Sequence, residues 1–402
     1  MQIILHPQEI KLYKNVLETL KLNNNLRVHS GNHSSQFYNK LYETNNHIDI
    51  TQYVIPPTFT NSILTSSAGH TFDYLRNFLS ESGYKLRGTP ESKYITLGGA
   101  VLNGIHNGSF LNRCISEYVT KMLMIDGNGI LRILNDKNDI INFGTYGVVF
   151  RISIKCFKAE NIKWTRTVFD NIDDIVITPD THSLVFGPYS GKILQSKINE
   201  TKEKPKSRFS RVVWDFFHSF IETYVVSSMT RALLYIIPST GIIISESWLS
   251  EPDVIKDKYD YFEYVPFNNV YTMEYGIDLD YLKPIYKELM DLISYYRKHG
   301  TYVSYRFWLR LLEKSDLIYS LSYGKDTGII EFTFSNDQTY SESFASYLNK
   351  IFLKNGGIPH MGKTIINESA VSNYDFTYLK NNINIYDPNK KFQNSFIRNI
   401  LN

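Results

Sequence analysis

Between residues 94 and 110, YITLGGAVLNGIHNGSF, an apolar run enters a segment with four glycines, two asparagines and a histidine. Glycine weakens the interiors of helices and strands. Such density marks backbone that approaches something closely or adopts a conformation that a Cβ forbids. A tight structural turn and a ligand cradle both meet that description. In a cradle, Gly98 and Gly99 let peptide N–H groups meet a diphosphate, while Asn103 and Ser109 add neutral donors. A second polar loop, HSGNHSSQ at 29–36, follows a short apolar strand. Each loop alone reads as structural; the two together favour a phosphate-bearing dinucleotide.

Composition narrows the classes. With 402 residues, 43% of them hydrophobic and 21% charged, the chain is long enough for two or three packed domains. A net charge of +3 without a basic stripe argues against a nucleic-acid partner. The run KEKPKSRFSR at 202–211 holds a proline and reads as an exposed connection. Cys114 and Cys156 form no metal-ligand or disulfide spacing, and MQIILHPQEI lacks the features of a secretory signal, so a cytoplasmic, reducing location is expected. The apolar run ALLYIIPSTGIIIS at 232–245 is too short and too broken by Pro and Gly to span a bilayer. It reads as a buried helix and strand, with weak membrane association as the alternative.

Periodicity organises the rest. PQEIKLYKNVLETLKL and TFDYLRNFLSESGYKL have helical spacing, the second closed by Gly83. YVTKMLMIDGNGILRIL is a hairpin around Asp-Gly-Asn-Gly, and GVVFRISIKCF alternates as a strand. Beyond about 160, strands such as SLVFGPYS and GIIEFTFS accompany longer helices such as DYLKPIYKELMDLISYYRKHG. GIPHMGKT at 357–364 satisfies the P-loop pattern, but a helical segment precedes it, a poor helix start follows, and about forty residues remain. That is too little chain for the parallel sheet of a nucleotide hydrolase.

These residues resemble the flavin-dependent sugar-lactone and alditol oxidases of the vanillyl-alcohol-oxidase superfamily. HSGNHSS is similar to the family's first cofactor loop, and GGAVLNGIHNGSF to its second. INFGTYGVVFRISIKC, LVFGPYSGKILQSKINET, VYTMEYGID, GGIPHMGKT and YDPNKKFQNSFIRNIL resemble further family segments in the same order. The resemblance implies an α+β fold: a two-subdomain FAD-binding (PCMH-type) domain at 1–157 and a substrate or cap domain at 158–375. The cap has a mainly antiparallel sheet flanked by helices, and residues 376–402 return to the first domain. It further implies FAD contacts from Ser30, Gly31, Asn32, His33, Ser34, Gly98, Gly99, Asn103, Gly104, His106, Ser109 and Val148, with His33 at the position of the histidine that commonly carries FAD covalently.

Departures from the family pattern concern the substrate. Ile105, Asn107 and Met361 replace the family's Thr, Gly and Trp. Ser304 stands where the family has the Glu of its Glu-x-Arg, with Arg306 retained. Glu331 and Thr333 stand at its His-x-Thr. Either the carboxylate has moved to a neighbouring strand or the substrate preference differs. The resemblance implies hydride transfer from a sugar alcohol or lactone carbon to the flavin, with O₂ or a redox partner as acceptor. Lys363, Arg306 and His360 are the expected catalytic residues, and Ser304, Glu331 and Thr333 the expected substrate contacts. No metal is expected. A flavoenzyme for a bulky or lipid-linked sugar, and a degenerate non-catalytic FAD-binding protein, are the alternatives.

Overall fold

The computed structural model describes residues 3–22, 26–30, 47–90, 92–108, 112–205, 236–237, 246, 253–257, 270–301, 306–335 and 338–401. The basic run from 206 onward and nearly all of the apolar 212–245 segment lie outside them. Among the described residues, no helix is long and apolar enough to cross a membrane.

The chain opens with helix Pro7–Leu22, whose Leu12, Val16 and Leu20 recur at helical spacing and are buried. Strand Arg27–His29 then pairs in parallel with His47–Asp49. A five-stranded antiparallel sheet follows, in the spatial order Thr58–Thr60, Ile63–Ser67, Gly147–Lys155, Val119–Asp126 and Leu131–Leu134. The Asp-Gly-Asn-Gly hairpin closes with Gly129 at φ +77°, a conformation that suits glycine. Buried Asp126 holds that turn by accepting from the amides of Asn128 (2.9 Å) and Ile130 (2.8 Å).

A second, eight-stranded antiparallel sheet runs Val254–Lys256, Asn161–Phe169, Ile193–Thr201, Thr181–Phe186, Arg306–Leu312, Thr327–Ser335, Val270–Asp278 and Ile358–Pro359. Successive side chains of a strand point to opposite faces. On one face, Met273, Tyr275, Ile277, Phe307, Leu309, Ile330 and Phe332 share a core with residues of helices Leu282–Lys298 and Gln338–Lys354. Phe186, Phe307 and Phe332 stack across three neighbouring strands at ring-centroid distances of 4.6 and 4.9 Å. That column stiffens the sheet from behind. The opposite face carries Glu274, Arg310 and Glu331.

The other core surrounds the five-stranded sheet and gathers late residues as well. Leu317, Tyr319, Met361, Ile365, Leu379, Ile383 and Phe396 pack with Leu64, Val148 and Ile152. Helices Thr377–Tyr386 and Ser395–Leu401 therefore lie against elements built in the first 160 residues. The chain folds as α+β.

Candidate active site

Glu274 and Glu331 sit directly opposite each other on adjacent strands. Two like charges in that register repel, so both acids need counter-ions close by. Lys363 Nζ lies 2.9 Å from Glu331 Oε1 and 3.5 Å from Glu274 Oε2. Arg310 places Nη2 2.8 Å from Glu331 Oε2 and Nη1 3.6 Å from Glu274 Oε2. Two carboxylates thus interlock with two cations, and the formal charges sum to zero. The cluster has a floor and a rim. Side chains of Glu274 and Arg310 are 1% and 8% exposed, those of Glu331 and Lys363 12% and 29%.

The turn after strand Ile358–Pro359 aims Lys363 at this cluster. His360 N–H donates to the Glu274 carbonyl (2.8 Å), and Thr364 N–H to the Thr272 carbonyl (2.9 Å), so the turn straddles the Val270–Asp278 strand. Gly362 N–H donates to His360 Nδ1 (2.9 Å), which leaves the ring proton of neutral His360 on Nε2. A Cβ on Gly362 would lie 2.9 Å from His360 Cε1 and 4.0 Å from Asn103 Cβ. The GIPHMGKT turn therefore abuts the glycine segment, and no α-helix opens from it as a P-loop requires.

The glycine segment forms a short helix, Leu97–Leu102, capped by the Thr96 hydroxyl. Ser30 Oγ lies 2.7 Å from Thr96 Oγ1, joining the start of the first polar loop to that cap. Gly98 is explained by packing, since a Cβ there would lie 2.9 Å from Ala68 Cβ. At Gly99, among the described residues, a Cβ would meet only Thr96 Oγ1 at 3.2 Å and Ser30 Oγ at 3.8 Å. Asn103 Nδ2 donates to the Gly99 carbonyl (2.9 Å), and Gly104 turns the chain at φ +62°. Beyond it, His106 Nε2 is 2.8 Å from Glu274 Oε1, a bond across 168 positions of sequence. An ionised carboxylate only accepts, so His106 Nε2 carries the proton.

Burial raises the cost of charge on both glutamates, but their cations prevail. Lys363 and the hydrogen bond from His106 hold the Glu274 carboxyl well below the ordinary carboxylate range, and Lys363 and Arg310 lower Glu331 against the opposing charge of Glu274. Burial likewise disfavours charge on Lys363, yet Glu331 and Glu274 keep it firmly protonated. Burial pushes His360 down to about 4, leaving it neutral near pH 7. His106, Glu274 and His360 also offer three ligand atoms within 4.8 Å of one another. With Lys363 and Arg310 already against Glu274, a metal cation would meet strong like-charge repulsion.

The structure thus gathers Lys363, His360, Glu331 and His106, with Ser30, Gly99, Asn103 and Gly104 along the adjoining segment. Val148 is buried in strand Gly147–Lys155. Arg306 and Thr333 are register partners on neighbouring strands, Arg306 at the start of its own. Gly31, Asn32, His33, Ser34, Ser109 and Ser304 lie outside the described residues. Two members of the cluster, Glu274 and Arg310, are absent from the residues expected from sequence. Their signal was a charge placed between apolar residues in TMEYGI and WLRLL, where alternation turns it away from the core.

Polar capacity remains beside the glycine segment. Asn103 Oδ1, Asn107 Oδ1 and His29 Nδ1 are buried without a hydrogen-bond partner among the described residues. Buried polar groups are normally satisfied, so such orphans fit a group that brings its own donors and acceptors. A flavin dinucleotide is such a group.

Comparison with known proteins decides the family. The profile of D-arabinono-1,4-lactone oxidase matches residues 150–400. The chain belongs to the D-arabinono-1,4-lactone oxidase family. This family lies within the FAD-binding superfamily that includes the vanillyl-alcohol-oxidase fold, and it implies FAD as cofactor. D-arabinono-1,4-lactone oxidase from Saccharomyces cerevisiae is 22% identical over 201 residues, covering 45% of this chain and 38% of that protein's length. Among solved structures, cholesterol oxidase from Brevibacterium sterolicum superposes with a TM-score of 0.71 at 11% identity, covering 98% of this chain and 93% of that one. A BBE-like 1 variant from Physcomitrella patens gives 0.67 at 12% identity, with 96% and 88% covered. At these identities the structures establish the shared fold, including the large antiparallel sheet.

Proposed function

We propose that this member of the D-arabinono-1,4-lactone oxidase family oxidises a CH–OH carbon of a sugar lactone or sugar alcohol. The observation that best supports the reading is the ionised cluster of Glu274, Glu331, Lys363 and Arg310, set on the sheet face beside the glycine segment. Bound FAD would supply the redox chemistry, taking a hydride from the carbon while the hydroxyl proton leaves to a base or solvent, and passing electrons to O₂ or another acceptor.

The chain's own residues divide the remaining work. Ser30, Gly99, Asn103 and Asn107 would hold the cofactor through hydroxyl, peptide and amide groups. At the rim, the Glu331 carboxylate accepts a hydrogen bond from one substrate hydroxyl, while Lys363 donates to a neighbouring oxygen. Glu331 thereby supplies the carboxylate missing at Ser304. Lys363 also stabilises negative charge that builds up on reduction. Neutral His360 offers Nε2–H as a donor and cannot compete as a cation. Arg306, on the same strand as Arg310, is a further candidate for the substrate's oxygen atoms. His33 is the candidate for a covalent bond to the flavin, and yellow colour that stays with acid-precipitated protein would establish that bond. Flavin released wholly into the supernatant would exclude it.

The reading is tested by purifying the protein, recording its visible spectrum and adding aldonolactones and alditols anaerobically. A flavin spectrum that bleaches with one of these sugars is expected. A folded protein without flavin, or with a flavin that none of them reduces, contradicts the proposed activity.

A further inference from the structure

Arg310 has no part in the expected catalytic set, yet it occupies the centre of the cluster. Its guanidinium reaches Glu331 Oε2 at 2.8 Å and Glu274 Oε2 at 3.6 Å from the buried side, opposite the more exposed Lys363. Room for it is made by Gly108, where a Cβ would lie 2.7 Å from the His182 carbonyl and 3.1 Å from both Arg310 Cβ and Cγ. The loop carrying the glycine segment is thus fitted to this arginine.

Charge arithmetic shows what the arginine does. Without it, two glutamates would face one lysine, and the cluster would carry a net negative charge. Lys363 would then be consumed in neutralising its own surroundings. With Arg310 the floor takes up one carboxylate's worth of charge, and the ammonium at the rim retains its effect on whatever lies above it. Glu331 contributes the opposite sign from the same place, because it is ion-paired with both cations.

We propose that Arg310 is a positioning residue that sets the electrostatic potential of the active site, offsetting one of the two carboxylates so that the four-charge set presented to the flavin is neutral and not net negative. The proposal rests on the FAD-dependent reading above. It makes the flavin's tendency to accept electrons a property of the four-charge set and not of Lys363 alone. A positive charge near a flavin favours the anionic reduced form, and a carboxylate opposes it.

The signs follow. Arg310→Met removes a cation and should lower the midpoint potential of the bound flavin. Glu331→Gln removes a carboxylate and should raise it. The double variant Arg310→Met/Glu331→Gln restores neutrality and should return close to the parent. Each single change is expected to alter the reduced-to-oxidised equilibrium at least tenfold, about 30 mV for a two-electron couple. Arg310→Lys retains the charge and should stay near the parent value.

The experiment is anaerobic spectroelectrochemical titration of the holoprotein and these four variants, with flavin content measured on each sample beforehand. Opposite shifts in the single variants and recovery in the double variant support the assignment. Potentials that shift in the same direction, or a double variant no closer to the parent than Arg310→Met, overturn it, because loosened packing has no reason to alternate in sign. Variants that fold but lose flavin would also overturn it, making Arg310 a structural support for cofactor binding. Parent protein without flavin overturns both this proposal and the oxidase reading, whereas flavin-loaded parent with invariant potentials overturns this one alone.

Discussion

Lys363 is best understood through the company it keeps. Its ammonium is bonded to Glu331 and close to Glu274, so Lys363→Met removes the proposed donor to substrate and one of the two cations that face these acids. Flavin reduction should slow by about 10²-fold or more, equivalent to ~3 kcal/mol of lost electrostatic stabilisation, in a protein that still binds FAD. Stopped-flow reduction with a panel of lactones and alditols measures this; an unchanged rate would remove Lys363 from the chemistry. Acid acts on the neighbouring histidine. His360 has its folded value depressed from 6.5 to about 4, mainly by burial, so between those values the unfolded chain binds the extra proton. Stability from this group is therefore present above about pH 6.5 and is lost as pH falls towards 4. His182, depressed to about 3, adds to the same trend. Thermal unfolding of His360→Gln should show a shallower loss between pH 6.5 and 4.5 than the parent; identical slopes would mean that His360 titrates normally. Lys363, His360, Glu331 and His106 were legible as candidates because their motifs resemble a family pattern. Glu274 and Arg310 were not, since a single charged residue in an apolar strand reads as well as a solvated position until the sheet supplies its neighbours.

At the level of elements, the helix Leu97–Leu102 and its Thr96 cap separate the jobs that the sequence had left joined. Gly98 makes room for Ala68, whereas the Cβ direction of Gly99 faces the Thr96 and Ser30 hydroxyls. Gly99→Val should accordingly fold but lose FAD, a result read from the flavin absorbance per mole of folded protein. Normal flavin content would assign Gly99 to a simple turn. Behind the site, the stacked Phe307 and Phe332 hold the strands that carry Arg310 and Glu331. Phe332→Ala removes a fully buried ring and should destabilise the protein by about 3–5 kcal/mol, measurable by denaturant unfolding. A loss under about 1 kcal/mol would show that the aromatic column is not what stiffens the sheet. Hairpins and amphipathic helices were readable here, since turn glycines and apolar periods are local signals. The opening helix, the Asp-Gly-Asn-Gly hairpin and the helix Leu282–Lys298 all match their patterns. Sheet order was not readable. Placing Thr181–Phe186 beside Arg306–Leu312 depends on contacts more than a hundred residues apart, which no local pattern encodes.

For the whole molecule, two sheets with separate cores are tied together at the site. His106 from the glycine segment bonds Glu274 of the larger sheet, and the turn at 360–364 connects that sheet to the core holding Met361 and Ile365. On the proposed reading, cofactor held by the first layer and substrate held by the second would meet at this seam. Order of segments was visible in the sequence; their convergence needed the fold. The most direct measurement is anaerobic reduction of the purified, flavin-loaded protein by an aldonolactone or alditol, followed by the fall of the flavin absorbance. Bleaching by at least one such sugar, abolished or slowed at least 10²-fold in Lys363→Met, is the predicted result. Flavin that remains oxidised with every sugar of both classes would contradict it.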